Sequence, residues 1–520
     1  MEYQNKFDFS KLKDKTSWAS QAADDIVAAH PDESLYTVAA GISPSGVVHF
    51  GNFRDVVTAH LVREELIKKG KKARLIFSWD NFDRFRKVPA GVPESFAEHI
   101  GKPLSKIPDP LGKSSSYAEH FQKSFVEAME KLGIEIEYRN QTALYEAGTY
   151  DVEIFHALKN RQKIADVLRS FMTDKAKGEK GINPEEYREN YYPVSVYSRF
   201  TGKDATKVLS YDGVSTITYL CAETGKEDTI DLSKEHIAKL AWKIDWPMRW
   251  RHEKVHFEPG GHDHASPGGS YDVASRVVKE IFDYESPLFA EYKFVGIQGL
   301  GAKMSGSKGG ALSPLELLDI YEPELLKSLY FRKSPDQSFE LAFNTEIYRQ
   351  YDEYDTEHPE ESAIPFRQAV GFGQVVQWQE DKLRHVLEAL DHKYSAESIS
   401  RRLPLAKNWL EKYNPEEVIR LNDSVNTSYA SAMADKNKGL VSRLRKELET
   451  KKEASIQDLE TLVYDIPKSS DLSEEELKKA QRAFFKDVYN LLISKDAGPR
   501  LGTFLWAVDR EAVLKLLNLF

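Results

Sequence analysis

Residues 43–52 read SPSGVVHFGN and separate an apolar run, residues 36–40, from a helix-like stretch of apolar and charged residues, 53–69. This order predicts a buried strand, a glycine-rich turn and a helix. In such a turn the backbone N–H groups and the helix N-terminus face an anionic phosphate. His49 and Asn52 open the predicted helix as hydrogen-bond donors, so the turn predicts a nucleotide site.

A second glycine- and serine-rich stretch, GAKMSGSKG, occupies residues 301–309. Its composition predicts a flexible loop. Lys303 on such a loop can reach the β- and γ-phosphates of a nucleotide and stabilise the pyrophosphate that leaves. Taken singly, each stretch is equally compatible with an ordinary capped helix or a solvated surface loop. Their occurrence together, in this order, favours ATP chemistry.

The composition predicts a multidomain protein of a reducing compartment. A chain of 520 residues exceeds one ordinary core, so two or three domains are expected. The net charge of -10 means that a nucleic-acid partner would require locally basic surface. The single cysteine, Cys221, excludes an intramolecular disulfide. With no recognisable secretion signal or membrane span, we expect a cytoplasmic protein that binds no membrane, and we expect a monomer.

Strand and helix patterns divide the chain into two predicted domains. Alternating strands and helices assign residues 1–335 to an α/β domain with a parallel, Rossmann-type sheet. Within it, residues 88–117 look irregular and residues 175–244 look like a small β-rich insertion. Long helical patterns assign residues 336–520 to an all-α domain. The three predicted sheet strands are residues 35–40, 73–79 and 134–138.

The segment 246–272 is dense in aromatic, histidine and glycine residues. Val255 and Phe257 suggest a strand before GGHDH, which would place Asp263 at a strand end, where acidic residues accept hydrogen bonds from ribose hydroxyls. A metal site is the alternative, but the histidine spacing matches no standard zinc pattern. The histidines concerned are His252, His256, His262 and His264.

Asp80 and Asp83 follow the predicted strand 73–79 and are candidates to pair a cationic substrate. A cation buried in a cleft requires an anionic partner. The same carboxylates could instead form ion pairs with Arg84 and Arg86, and the sequence leaves both interpretations open.

The motifs together resemble those of the class I lysyl-tRNA synthetases, over nearly the whole chain and in the same order. HFGN and KMSGS correspond to the two class I signatures, His-x-Gly-His and Lys-Met-Ser-Lys-Ser. In the Lys-Met-Ser-Lys-Ser signature, Gly306 stands at the position of the second lysine. Lys308 is the residue that could supply the missing positive charge. The stretches that carry the resemblance are GISPSGVVHFGNFRDV, SWDNFDRFRKVP, KIDWPMRW, FEPGGHDH, YKFVGIQGLGAKMSGSKG and AGPRLGTFLWAVDR.

The resemblance implies activation of L-lysine with ATP and Mg²⁺, followed by transfer of the lysyl group to the 3′ end of tRNA(Lys). His49, Asn52 and Lys303 would be catalytic. The implied ATP-binding residues are Ser45, His49, Gly51, Asn52, Gly261, Asp263, Lys303, Met304, Ser305 and Ser307. The implied lysine-binding residues are Gly41, Ser43, Trp242, His264 and Tyr292, to which the charge argument adds Asp80.

Some members of this family carry cysteines in the insertion that could bind zinc. Here Cys221 is alone, and Ser198 stands at one position that looks lost, so no structural zinc is expected. By resemblance, the helical domain reads the anticodon. Candidate phosphate contacts are Lys436, Lys438, Arg443, Arg445, Lys446 and Arg500, although charged helices are usually only solvated.

Other functions are weighed against this one. A glutamyl enzyme would need an arginine near the first motif, where residues 37–40 offer no cation. An arginyl enzyme also binds a cation, and charge alone does not separate it. A nucleotidylyltransferase of the same sheet fold needs no large helical domain. A non-catalytic tRNA-binding paralogue would be expected to have lost His49 or Lys303.

Overall fold

The chain forms two compact units, Met1–Leu318 with Leu326–Leu341, and Asp319–Leu325 with Ala342–Phe520. The first carries a parallel sheet and the second is mostly helical. A computed structural model describes residues 5–12, 14, 17–172, 183–299, 312–470 and 472–519.

The first unit is organised around a five-stranded sheet with the order β10-β9-β1-β2-β3, in which every neighbouring pair is parallel. The Rossmann-type expectation is therefore confirmed. The strands among the described residues are, in chain order, β1 (Tyr36–Ile42), β2 (Ala73–Trp79), β3 (Glu137–Asn140), β4 (Val194–Val196), β5 (Thr206–Tyr211), β6 (Thr216–Cys221), β7 (Glu227–Asp231), β8 (Ala238–Leu240), β9 (Val255–Gly261), β10 (Leu288–Tyr292), β11 (Val295–Gln298) and β12 (Phe339–Ala342).

The order of the strands reverses between β1 and β9, which are neighbours in the sheet although far apart in sequence. Such a switch point leaves a crevice outside the carboxyl ends of the two strands, where ligands bind in open α/β sheets. β1 and β2 pair in register from Tyr36 opposite Ala73 to Ile42 opposite Trp79, so these strands end at one level.

Helices cover the sheet in the first unit and make up most of the second. In the first unit they are Trp18–Ala29, Phe50–Lys68, Tyr117–Lys131, Gln141–Glu146, Asp151–Lys159, Arg161–Ser170, Pro184–Asn190, Trp242–Glu253, His262–Ala265, Ser270–Ile281 and Pro314–Leu317. Beyond them lie Pro323–Phe331, Glu346–Glu357, Phe366–Val375, Glu380–Ala389, Ala396–Asn408, Thr427–Ala432, Asp435–Thr450, Ile456–Asp465, Glu474–Ile493, Leu501–Ala507 and Arg510–Leu516.

The predicted β-rich insertion is present as two small antiparallel sheets, β4 with β8 and β5-β6-β7. Cys221, at the end of β6, is buried. A hydrogen bond from Ser198 lowers the pKa of its thiol. Ser198 and Cys221, the two positions where other family members could carry zinc-binding cysteines, are therefore joined by a hydrogen bond.

The sequence-based strand at residues 134–138 is displaced, since β3 covers Glu137–Asn140. Three short strands among the described residues outside the insertion, β10, β11 and β12, were not predicted. Each is four or five residues long, and so short a run cannot be told from a helix fragment in a single sequence.

His256 in β9 is a buried histidine whose neutral form the fold requires. Its Nδ1 accepts a hydrogen bond from the Thr37 backbone N–H at 3.1 Å, and the residue is 1% exposed. Burial, with the adjacent His30, lowers its pKa to about 4. The unfolded chain therefore takes up a proton before the folded chain does. The resulting stability is complete above about pH 6.5 and is lost as the pH falls toward 4.

We predict that the free energy of unfolding falls by about 2 kcal/mol as the pH is lowered from 7.5 to 5, because His256 takes up a proton in the unfolded chain but not in the folded one. Urea unfolding of the wild type and of His256→Asn, which keeps an acceptor near Thr37, measures this directly. The variant should lose correspondingly less stability on acidification. His358→Asn, at an exposed position, is the matched control. Equal pH dependence in wild type and His256→Asn would contradict the assignment.

Candidate active site

A cavity of about 160 Å³ opens at the switch point between β1 and β9. Its lining combines the ends of both strands, the start of the helix Phe50–Lys68, and one face of the helix Trp242–Glu253. Six of the residues predicted for the site line it: Gly41, Asn52, Asp80, Trp242, His264 and Tyr292.

The turn predicted to face a phosphate is a reciprocal helix cap. The His49 backbone N–H donates to Asn52 Oδ1 at 3.2 Å, and the Gly51 backbone N–H donates to His49 Nδ1 at 3.0 Å. A Cβ at position 51 would lie 2.8 Å from the His49 ring, so this close approach requires glycine. The motif residues therefore fix one another before any ligand binds.

The cap also fixes the chemistry of the His49 ring. Because Nδ1 accepts a hydrogen bond, the proton of the neutral ring resides on Nε2. Burial lowers the pKa of His49, which favours that neutral form near pH 7. The ring is therefore an oriented donor at the N-terminus of a 19-residue helix, whose end carries partial positive charge.

Three tryptophans at helical spacing form an aromatic wall of the cavity: Trp242, Trp246 and Trp250. The rings of Trp242 and Trp246 stack at 5.3 Å between centroids, and those of Trp246 and Trp250 lie 4.8 Å apart. His264 approaches Trp246 at 5.6 Å. The sequence analysis assigned Trp242 and His264 but not the other two tryptophans, although the i, i+4, i+8 spacing was visible.

Asp80 and Asp83 are paired by cations other than those considered from the sequence. Arg249 Nη1 donates to Asp80 Oδ1 at 2.7 Å, and Lys239 donates to Asp83. Arg84, one of the two expected partners, instead pairs with Asp204 at 3.2 Å. The charge of Asp80 is thus already matched within the cavity wall.

Arg249 connects two further parts of this wall. Its Nη2 lies 3.2 Å from Asp245 Oδ2, and its guanidinium lies 5.4 Å from the centre of the Trp242 ring. Lys239 Nζ reaches the same Asp245 oxygen at 3.5 Å. Asp245 and Arg249 are 0% and 7% exposed, so these ions are compensated by one another and not by water.

Besides Asp80 and Glu253, two more carboxylates line the cavity, Asp55 and Glu258. The sequence analysis missed both, since a single acid on a helix or strand gives no signal of its own. Asp55 Oδ2 accepts from the Gly41 backbone N–H at 3.3 Å, and Glu258 Oε2 accepts from Trp250 Nε1 at 2.5 Å. Burial raises the pKa of Asp55 well above its usual value and that of Glu258 to about 7.

Several predicted ATP- and lysine-binding residues lie outside the cavity lining drawn by the described residues. Ser43 and Ser45 belong to the turn, where the Ser45 carbonyl accepts from Tyr117 at 2.8 Å. Gly261 ends β9, and the side chain of Asp263 beyond it is 83% exposed. Their roles toward a ligand stay predictions.

Lys303, Met304, Ser305 and Ser307 lie outside the described residues. Leu312, the first described residue after them, accepts a hydrogen bond through its carbonyl from the Phe50 backbone N–H at 2.9 Å. The chain that follows the glycine-rich stretch is therefore bound to the residue next to His49.

The four histidines considered for a metal site have separate partners. His252 contacts Glu153 at 3.1 Å and His262 contacts Glu291 at 2.6 Å, while His256 holds the backbone of β1. Within the described part of the chain, no group of three or more His, Cys, Asp or Glu side chains could hold a metal ion. The same residues include no helix long and apolar enough to cross a membrane.

A doubly wound parallel sheet, a capped helix N-terminus at its switch point and a cavity beside both define a nucleotide-binding α/β protein. Residues 16–369 match the family described as tRNA synthetases class I (K). The match covers well over half of the chain, which therefore belongs to this family.

Relatives match nearly the whole length of the chain. The chain is 36% identical to a lysine–tRNA ligase of Streptomyces coelicolor, across 97% of this chain and 98% of that protein. It is 34% identical to the lysine–tRNA ligase of Pyrococcus horikoshii, across 96% and 99%. A glutamate–tRNA ligase structure from Elizabethkingia meningosepticum superposes with a TM-score of 0.49 at 11% identity, covering 94% of this chain and 99% of that one.

We predict that Arg249→Met destabilises the protein by about 3–5 kcal/mol, because it leaves the buried carboxylates of Asp80 and Asp245 without their shared cation. Urea unfolding at pH 7.5 measures the loss. The double variant Arg249→Met/Asp80→Asn removes one of the stranded charges and should recover part of it. A loss below about 1 kcal/mol in the single variant would show that solvent, and not Arg249, compensates these acids.

Proposed function

We propose that this protein joins L-lysine to tRNA(Lys) in two steps at the cavity between β1 and β9, with ATP as the energy source. The observation that carries this proposal is the full-length similarity to lysine–tRNA ligases, at 36% and 34% identity. The cavity, which combines acidic groups with a capped helix N-terminus, is the part of the described chain that suits the chemistry.

In the first step, a carboxylate oxygen of lysine attacks the α-phosphorus of ATP. The bond from that phosphorus to the bridging oxygen of the β-phosphate breaks, and pyrophosphate leaves with the electron pair. In the second step, a hydroxyl of the terminal tRNA ribose attacks the carbonyl carbon of lysyl-adenylate, and AMP leaves. Both steps depend on placing donors where negative charge develops.

His49 and Asn52 are proposed to place those donors. The Nε2–H of His49 would donate to the triphosphate, while the cap holds the ring in position. Lys303, which lies outside the described residues, would neutralise the leaving pyrophosphate. The carbonyl of Leu312, further along the chain, accepts from the Phe50 backbone N–H beside His49. Mg²⁺ would arrive with ATP as part of the substrate.

The charges in the cavity favour lysine over glutamate. A side-chain carboxylate would need a free cation, and the arginine in the cavity lining, Arg249, is already bound by Asp80 and Asp245. The lining instead offers carboxylates and indole rings, which suit an ammonium group on an apolar stem. Gly41, Ser43, Asp80, Trp242, His264 and Tyr292 are proposed as its surroundings.

The helical domain, residues 336–520, is proposed to bind the anticodon arm of the tRNA. Of the six candidate phosphate contacts, Lys436, Arg443, Lys446 and Arg500 are exposed and fit this role. Arg443 and Arg445 donate to backbone carbonyls of their own unit, at 3.3 Å and 3.1 Å, and have structural roles as well. A cytoplasmic location fits an enzyme with one cysteine and a tRNA substrate.

Pyrophosphate exchange with each of the twenty amino acids, with and without tRNA, tests the proposed function. We expect ATP–pyrophosphate exchange to depend on L-lysine. Exchange only with arginine or glutamate would overturn the proposed specificity. Absence of exchange with every amino acid under both conditions would overturn catalysis and favour a tRNA-binding protein.

A matched pair of variants separates the donor role of His49 from its cap. His49→Asn keeps an acceptor for the Gly51 N–H but loses the distal donor. It should lower the lysine-dependent exchange rate by about 100-fold with an unchanged melting temperature. His49→Ala loses both features and should also lose about 1 kcal/mol of stability. If His49→Asn instead loses exchange rate and stability together, the donor role is contradicted and only the capping role of His49 is supported.

A further inference from the structure

Tyr117 places a buried hydroxyl group against the turn that precedes His49. The residue begins the helix Tyr117–Lys131 and is 0% exposed. Its O–H donates to the carbonyl of Ser45, in the turn, at 2.8 Å. This hydrogen bond therefore joins the segment predicted to be irregular to the turn predicted to face a phosphate.

The turn, residues 43–48, has few other restraints. Within it, the Ser45 backbone N–H donates to the Ser43 carbonyl at 2.8 Å. Among the described residues, the Tyr117 hydroxyl is the one group outside the turn that forms a hydrogen bond with it. Ser45 is exposed, so packing alone does not fix the direction of its carbonyl. A surface segment held by so few contacts depends on each of them for its conformation.

The direction of the Ser45 carbonyl sets the direction of the next N–H group. In a planar trans peptide, the C=O and the N–H of the following residue point in opposite directions. Because the Ser45 C=O points at Tyr117, the Gly46 N–H points away from it. No described residue accepts a hydrogen bond from the Gly46 N–H, and within the same part of the structure a Cβ at position 46 would meet no atom within 4 Å. An unpaired N–H beside open space is the arrangement by which turns bind anions.

Tyr117 is itself held rigidly, because its ring belongs to a small core formed within the segment 85–121. The centre of the ring lies 5.1 Å from that of Phe85 and 4.9 Å from that of Phe121. Ile107 is buried in the same cluster, and its carbonyl accepts from the Tyr117 backbone N–H at 2.8 Å. The hydroxyl is consequently placed by packing that does not depend on the turn.

The same segment is anchored to the chain that follows β2. The Leu104 backbone N–H donates to the Asp83 carbonyl at 2.9 Å, and the Ser105 backbone N–H donates to the Asn81 carbonyl at 3.0 Å. β1, which leads into the turn, is paired with β2 along its whole length. The position of the Tyr117 hydroxyl is therefore fixed relative to the strand that carries the turn.

We propose that Tyr117 is a positioning residue for ATP: its hydroxyl fixes the Ser45–Gly46 peptide so that the Gly46 N–H donates to a phosphate of the nucleotide. This inference rests on the proposed function and deepens it. It also gives the irregular segment a role, as the support of the turn. Tyr117 does not touch the reacting atoms and acts through one peptide group.

Tyr117→Phe removes the hydroxyl oxygen and keeps the ring in its core. In lysine-dependent pyrophosphate exchange with tRNA present, we expect the KM for ATP to rise about five- to tenfold, because one hydrogen bond no longer orients the peptide. The KM for L-lysine and the inhibition constant of adenosine, which has no phosphate, should each stay within about twofold. Equal weakening of ATP and adenosine, or an unchanged KM for ATP, would overturn the proposal.

Tyr36→Phe is the matched control. Tyr36 is also 0% exposed and donates its hydroxyl to a backbone carbonyl, that of His30 at 2.6 Å, but it lies at the opposite end of β1 from the turn. Its KM for ATP should equal that of the wild type, whereas its melting temperature should fall by about as much as that of Tyr117→Phe. A raised KM for ATP in both variants would report a general loss of stability and contradict a positioning role.

A second pair of backgrounds shows whether Tyr117 acts through the Gly46 N–H. Gly46→Pro removes that N–H, and in this background Tyr117→Phe should raise the KM for ATP no further. Gly46→Ala keeps the N–H, and in this background Tyr117→Phe should again raise the KM for ATP about five- to tenfold. An equal effect of Tyr117→Phe in both backgrounds would refute the route through Gly46.

Exchange by the wild-type protein distinguishes failure of the proposed function from failure of this role. If the wild type shows no lysine-dependent exchange, the function and the role of Tyr117 are refuted together. If the wild type shows it and Tyr117→Phe has an unchanged KM for ATP, only the role of Tyr117 is refuted.

Discussion

Arg249 is the constraint on which the geometry of the cavity depends. Its guanidinium binds Asp80 at the end of β2 and Asp245 on its own helix, and it lies against the ring of Trp242. One planar cation thereby joins a strand end, a helix and the aromatic wall. A lysine at this position could not make the same contacts, because an ammonium group lacks the planar fork of donors. The cavity is consequently shaped before a ligand enters.

Charge is distributed unevenly between the two sides of this cavity. The capped start of the helix Phe50–Lys68 contributes partial positive charge and an oriented ring donor. The carboxyl groups of Asp55 and Glu258 lie along the other side, and burial raises the pKa of both. In the proposed function, an amino acid with an anionic head and a cationic tail would be oriented by the field as well as by shape, because a bound cation favours the ionised form of these carboxyl groups. The low polarity of the cavity strengthens this electrostatic orientation, because charges on buried groups are screened less than charges on exposed groups.

The sequence predicted the architecture well because the strongest patterns were local. The buried strand before SPSGVVHFGN and the strand Ala73–Trp79 are long apolar runs, and both form the centre of the sheet. β10 escaped prediction because its five residues are part of a mixed apolar segment and its identity depends on pairing with β9. Non-local pairing of this kind is not visible in a single sequence.

The site was predicted unevenly for a related reason. His49 and Asn52 stand in a recognisable motif, and their reciprocal cap is local. Asp55 and Glu258 become neighbours of one cavity only through the sheet order, so their spacing in sequence carries no signal. The partner of Asp80 was misjudged for the same reason: Arg84 was near in sequence, whereas Arg249 is near in space.

The reciprocal cap at the first motif has an evolutionary consequence. Position 49 offers an acceptor on the inner side, to the Gly51 backbone N–H, and in the proposed function it also offers a donor on the outer side. A neutral imidazole meets both demands, and its planar ring holds the two nitrogens rigidly apart. A substitution at position 49 would therefore be opposed by selection for stability, through the cap, and by selection for the proposed activity, through the outer donor.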